Sequence, residues 1–321
     1  WAAFTAEGPW TLERDAIRWM PIAEPLRAAS RAEVPALTRP SRIPPGRRVL
    51  RVVGTLGRAI VPWLIRSRRR AYDTPEAARQ DVSRRLRLAA EQLGATYIKL
   101  GQIISSGEGL FPVELVDEFK RCRDQVPAEP FDVVRRVVEA DLGARLDDIF
   151  SHFDTTPIAA ASIAQVHAAT LRTGEEVVVK VQRPSVAQFV RSDLRVMAWL
   201  APFLVGRIPI ASLANPPALV ELFAETIVEE LDFRMEAANM VDVAAMLHEL
   251  GNQGYVVPRP HPTLVTRRVL VMQRVYGFNF DDVAGMHDAG VDTQQVVRTA
   301  MVNAFGFGGQ NAVVLFAQYQ A

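Results

Sequence analysis

Apolar residues recur along this chain with two periods, and the change from one to the other divides it. Between residues 74 and 106 the period is helical, with Leu86, Leu93 and Leu100 seven apart and Ala90, Tyr97 and Ile104 interleaved. Gly94 and Gly101 are also seven apart, which predicts a close approach by another helix or backbone. PVELVDEFKRCRDQV and FDVVRRVVEADLG predict two more helices. From about Thr155 the period shortens to two: AQVHAATL, a turn at Thr173 and Gly174, then EEVVVKVQ, an antiparallel hairpin. A helical stretch, PSVAQFVRSDLRVMAWLAPFLVG, precedes a long helix predicted from about Pro217 to Leu250. GYVVPRP and RRVLVMQRVYG predict two further strands. The pattern reads as an α+β chain: a helical module, then a hairpin and further strands with the long helix between them.

Residues 1–46 are mixed and close on Pro40, Pro44, Pro45 and Gly46, so they read as a poorly defined arm ending in a linker. Next comes RRVLRVVGTLGRAIVPWLIRSRRR, a basic amphipathic helix predicted to break or kink near Pro62, with Trp63 and Leu64 placed for shallow insertion into a surface. The expected division is an arm over 1–46, a helical module over 47–150, a sheet-based lobe over 151–277 and the start of a second lobe over 278–321.

Charge changes this picture locally. The chain carries 37 Lys and Arg against 36 Asp and Glu, yet residues 34–72 hold ten arginines and no acid. That arm suits an anionic membrane surface. Without an aromatic stacking platform among the arginines, nucleic acid is not expected as a partner. Cys122 is the single cysteine, so an intramolecular disulfide and a multi-cysteine metal site are excluded and a reducing, cytoplasmic setting is expected. The apolar run VMAWLAPFLVG is shorter than the roughly 20 residues that span a bilayer.

Three pieces carry candidate chemistry. Lys180 stands in a run of valines, where an ammonium needs an anionic partner or a route to water. On a regular helix Asp232, Glu236 and Asn239 share a face that Glu225 and Glu229 extend, while Glu230 leaves on another side. Lys99 and Gln102, three apart, share a face beside the leucine stripe. Alone, each suits an ordinary solvated surface.

Together they resemble the UbiB/AarF family of atypical kinase-like proteins. The marks are K-x-G-Q at Lys99 to Gln102, the run Ala159, Ala160, Ala161 and Ser162, the strand lysine Lys180, and E-x-D followed by E-A-x-N at Glu230, Asp232, Glu236 and Asn239. The resemblance covers about residues 45–300. It implies a protein-kinase-like N-lobe, a five-stranded antiparallel sheet with the 217–250 helix against it, preceded by a helical K-x-G-Q module. By the same resemblance ATP or ADP is bound by Ala159, Ala160, Ala161, Ser162, Lys180 and Glu236 and by hinge backbone at Met272 and Val275. It also implies that Glu236 pairs with Lys180, that Lys99 and Gln102 face Glu230 and Asp232, and that the function belongs to isoprenoid-quinone (ubiquinone) biosynthesis, with isoprenoid lipid as a possible partner. Alanines where ordinary kinases carry glycines stiffen the phosphate loop, because a Cβ restricts φ.

The family's H-A-D-P-H-P-G-N loop and later D-F-G are not found. None of the five histidines, His152, His167, His248, His261 and His287, begins such a motif. The catalytic aspartate and the magnesium ligands expected of the full family are therefore missing, and an incomplete C-lobe is expected. Met301 to Ala321 holds no charged residue and resembles nothing in the family, so a truncated or frame-shifted end is expected. The function expected is nucleotide binding without activity; the alternatives are a non-catalytic nucleotide- or lipid-binding module and a gene remnant. Oligomeric state is left open.

Overall fold

In the computed structural model, which describes residues 9, 10, 12, 17–109, 111–122, 127–205, 215–251, 256–277 and 283–290, helices come first. Helix α1 (Met20–Thr38) occupies the stretch to which the sequence assigned no fold. Pro21 sits in its first turn, where a missing N–H costs nothing, and burial of Ala23, Val34 and Leu37 holds the turns around Pro25 and Pro35. Upstream, the Trp10 and Trp19 indoles donate to the carbonyls of Pro260 and His261, each at 3.0 Å. Helix α2 (Arg48–Arg68) runs through Pro62 without the predicted break. Its Val49, Val52 and Thr55 are buried, and packing of that face outweighs one lost backbone bond. The Trp63 indole donates to the Ala78 carbonyl at 2.9 Å, so this ring is turned inward rather than placed for insertion.

Helix α3 (Pro75–Leu93) starts where the Thr74 hydroxyl accepts from the Ala77 N–H. Gly94, at φ 99°, ends it and opens α4 (Ala95–Ser105), so the predicted 74–106 helix is two. Helices α5 (Val113–Lys120), α6 (Phe131–Leu142) and the single turn α7 (Leu146–Ile149) follow.

The sheet then forms from β1 (Phe150–Phe153), β2 (Ala159–Ala160), β3 (Ala164–Leu171) and β4 (Glu176–Gln182). After helices α8 (Val186–Leu204), α9 (Pro216–Glu229) and α10 (Phe233–Glu249) it is completed by β5 (Pro260–Val265) and β6 (Val269–Gln273); α11 (Val283–Asp288) comes last. The strand order is β1-β3-β4-β6-β5 with β2 beside β3, a six-stranded sheet paired antiparallel throughout. The short β2 is the strand beyond the expected number.

Period-two alternation gives the sheet two faces. Ala169, Leu171, Val177, Val179, Val181, Val269 and Val271 are buried with Val134, Val137 and Val138 of α6. Ala164 and Leu270, with Met272 partly buried, pack on Phe233, Ala237 and Val241 of α10. A separate cluster joins Val52, Leu93, Tyr97 and Phe119 to Leu194 of α8 and Phe223 of α9, so helices after β4 pack with the N-terminal ones.

The helix predicted over 217–250 is broken. Asp232 leaves helical geometry at φ −136°, ψ 105°, and its carboxylate accepts from the Arg234 N–H at 3.1 Å, capping α10. The sheet takes the exposed backbone groups: Gln182 Nε2 donates to the Leu231 carbonyl and the Phe233 N–H donates to Arg267. Among the described residues of GYVVPRP, the strand begins at Pro260, a position where a proline's missing donor is tolerated. The expected second lobe falls mostly outside the described residues, as does the uncharged tail.

Candidate functional site

Lys180 lies on β4 with its side chain opposite the buried Val177–Val179–Val181 row, facing α10. Its Nζ donates to both carboxylate oxygens of Glu236, at 2.7 and 2.8 Å. Glu236 stands in the first turn of α10, where the helix dipole favours an anion. The Phe233 ring, one turn back, lies 5.0 Å from the ammonium and supports it from its face. The two side chains are 27% and 22% exposed, so the pair borders solvent rather than being sealed. An ammonium has three donors, and one beyond the two given to Glu236 can meet an incoming anion.

Strand register sets what surrounds Lys180. Val166 on β3 and Leu270 on β6 stand directly opposite it, Ala159 on β2 stands opposite Val166, and Met272 stands opposite Val178. Residues paired in this way share a face, so Ala159, Val166, Val178 and Met272 form an apolar surface beside the ammonium. Ala160 pairs with Gln165, and the Ala161 N–H donates to Ala164 at 2.8 Å, closing a tight turn over Ser162, which is buried. Val275 follows β6 in a stretch where the Arg274 N–H bonds the Glu176 carbonyl.

On the module side, Lys99 on α4 pairs with Glu230, the residue after α9, at 2.7 Å, and both side chains are mostly buried. The glycine of this motif has a packing reason. A Cβ on Gly101 would lie 2.3 Å from Cδ1 of Phe119, so only glycine lets the α5 ring close on α4. Gln102, half-buried, is held in the chain by its carbonyl, which accepts from the Ser105 hydroxyl at 2.6 Å. Asp232, expected to face Lys99 and Gln102, caps α10 and binds the Arg234 guanidinium at 2.6 and 2.9 Å. Asn239 accepts from Arg27 of α1 at 2.5 Å.

Residues 121–306 match the ABC1 atypical kinase-like domain. The chain belongs to that family. It is 39% identical over 231 residues to the uncharacterized protein Rv0647c of Mycobacterium tuberculosis, covering 71% of this chain and 47% of that protein. It is 36% identical over 234 residues to a probable protein kinase UbiB of Aeromonas hydrophila, covering 72% and 42% respectively. A solved complex of Rv3197 with erythromycin, also from M. tuberculosis, aligns at TM-score 0.41 and 29% identity over 62% of this chain and 48% of that one. The chain thus spans less than half the length of the curated relatives it matches.

Two residues of this ABC1-family chain that sequence reasoning left unassigned sit beside the alanine turn. Arg183, three residues after Lys180, reaches the turn and the segment before α6; Gln165 bridges that segment to His167. Their polarity inside an otherwise apolar strand end was the available signal. His167 is fully buried with Nδ1 at 2.8 Å from the Asp154 carbonyl and Nε2 at 2.8 Å from the Gln165 amide, an arrangement that suits the neutral ring protonated on Nδ1. Burial pushes its pKa down. Burial also lowers His261, to about 4. Among the described residues no group of three or more His, Cys, Asp or Glu is arranged to hold a metal, and no helix is long and apolar enough to cross a membrane.

Proposed function

We propose that this chain binds an adenine nucleotide, ATP or ADP, on the Lys180 face of its sheet, as a UbiB-type atypical kinase-like protein. The observation that carries the reading is the Lys180–Glu236 pair: an ammonium on a central strand, held by both oxygens of a helix-start carboxylate and open on its remaining side. Lys180 meets phosphate through a charge-assisted bond, and Glu236 fixes the direction of its Nζ. Ala159, Val166, Val178 and Met272 offer an apolar bed for the base. Ala160, Ala161 and Ser162 form the loop side of the site, and backbone at Met272 and Val275 reads the purine edge. The relatives' UbiB names link this reading to ubiquinone biosynthesis.

Magnesium belongs to phosphoryl transfer of this type, where it neutralises charge between the phosphates. The carboxylates around Lys180 do not supply its ligands: Glu236 is spent on the lysine and Asp232 on Arg234. The sequence carries neither the histidine–aspartate loop nor D-F-G, so the proposed activity of this chain is binding without turnover.

The same reading takes α2 to be a contact for an anionic membrane. Leu50, Val53, Val61, Leu64 and Ile65 are exposed on a helix that carries exposed arginines at 51, 58, 66 and 68. The nucleotide reading is tested by titrating the purified chain with a fluorescent ADP analogue. Saturable binding displaced by ATP supports it, and no displaceable signal at millimolar nucleotide overturns it.

A further inference from the structure

The alanine-rich turn is held from behind by one side chain. The Arg183 N–H donates to the Ile163 carbonyl at 2.9 Å, and its Nε donates to the Ala161 carbonyl at 2.9 Å. The same guanidinium reaches the segment between α5 and α6, with Nη1 on Glu129 Oε1 at 2.9 Å and Nη2 on the Pro127 carbonyl at 2.8 Å. Gln165, on β3, repeats the link: its Oε1 accepts from the Glu129 N–H at 2.8 Å. The arginine is 9% exposed, so its own end of these bonds is largely shielded from water. A planar fork can serve three acceptors at fixed angles, and an ammonium cannot.

We propose that Arg183 is a positioning residue: it locks the alanine turn to the 127–129 segment, and so holds the loop side of the nucleotide site in its binding geometry. This deepens the nucleotide reading and rests on it. The backbone logic is direct. Residues 127–129 lead into α6, the turn over Ser162 enters β3, and Arg183 leaves β4 three residues after Lys180. One guanidinium therefore ties the approach to α6, the loop and the lysine strand. A turn ordered before nucleotide arrives has less freedom to lose on binding. Loosening it should weaken binding through faster release while leaving the Lys180–Glu236 contact in place.

The test uses the full chain with Arg183→Lys and, as a milder second variant, Glu129→Gln. Amide exchange over residues 158–164 and stopped-flow release of mant-ADP are measured alongside the thermal midpoint. The expected result for Arg183→Lys is faster exchange confined to that segment and release accelerated on the order of fivefold, the size of one lost hydrogen bond. The double variant should be scarcely worse than Arg183→Lys alone, because both changes remove one coupling. Exchange and release unchanged in both variants would overturn the proposal, as would tighter mant-ADP binding by Arg183→Lys. A merely structural role would lower the midpoint and raise exchange across the whole chain. If the unmodified chain fails to bind mant-ADP, the nucleotide reading and the coupling to release fall together. Exchange over 158–164 still decides whether Arg183 fixes the turn.

Discussion

Lys180 and Glu236, 56 positions apart in sequence, meet with both carboxylate oxygens within 2.8 Å of the ammonium nitrogen. Neither residue is deeply buried, so the pair contributes little to folding, as partly exposed ion pairs generally do. Its value lies in direction: a strand fixes the lysine backbone, a helix start fixes the carboxylate, and the ammonium points where neither element alone would hold it.

Turnover needs more than this. Positioning a nucleotide without a held metal and an oriented nucleophile leaves most of the barrier in place. With magnesium and labelled ATP, the chain is expected to release phosphate no faster than its Lys180→Ala variant. A clear Lys180-dependent rate would reveal a catalytic acid that this account lacks.

Gly101 makes a stability prediction. Alanine there would drive its Cβ to 2.3 Å from the Phe119 ring, and such overpacking costs roughly 1–3 kcal/mol. Gly101→Ala should lower the denaturation midpoint, and adding Phe119→Leu should restore part of the loss. An unchanged midpoint for Gly101→Ala would show that α4 and α5 do not pack this closely.

How much of this was legible in the sequence depends on which interaction decided each element. The β3–β4 hairpin was readable because valine alternation and Gly174, at φ 105°, are local signals. The Lys180 and Glu236 partnership, like that of Lys99 with Glu230, came from a resemblance that the geometry then met with short contacts. The break between α9 and α10 was hidden, since periodicity runs through it and the groups that stabilise it lie far away in sequence, Gln182 on β4 and the Arg267 carbonyl in the turn between β5 and β6. Asp232 just before Phe233 was its one local sign, a cap residue ahead of an apolar start. Helix α1 was masked by its prolines, because the burial that outweighs them comes from α8, α9 and α10.

Stability should fall on acidification. His261, whose Nδ1 accepts from the Thr263 and Leu264 N–H groups, is held near 4 by burial against an ordinary value of 6.5. Because the unfolded chain binds this proton more readily, stability present above pH 6.5 is lost as pH drops toward 4. His167, also lowered by burial, adds in the same direction. The thermal midpoint of His261→Gln should show a shallower dependence between pH 6.5 and 4 than the unmodified chain; equal slopes would count against a neutral, buried His261.

The α2 surface predicts salt-sensitive binding to anionic vesicles. Each arginine near such a surface is worth about 1 kcal/mol. Leu50→Glu with Leu64→Glu, both at exposed positions, should weaken sedimentation with phosphatidylglycerol vesicles while leaving the fold intact. Arg68→Glu and Arg69→Glu should do the same. Binding indifferent to all four changes and to salt would assign this face another role.

The central claim is that nucleotide is held by Lys180, and calorimetric titration of ADP and ATP into the unmodified chain and its Lys180→Ala variant tests it most directly. The account predicts saturable binding to the unmodified chain and none to the variant, with both proteins unfolding at similar temperatures because the ion pair carries little stability. Equal affinity in the two proteins would contradict it and place any nucleotide site elsewhere.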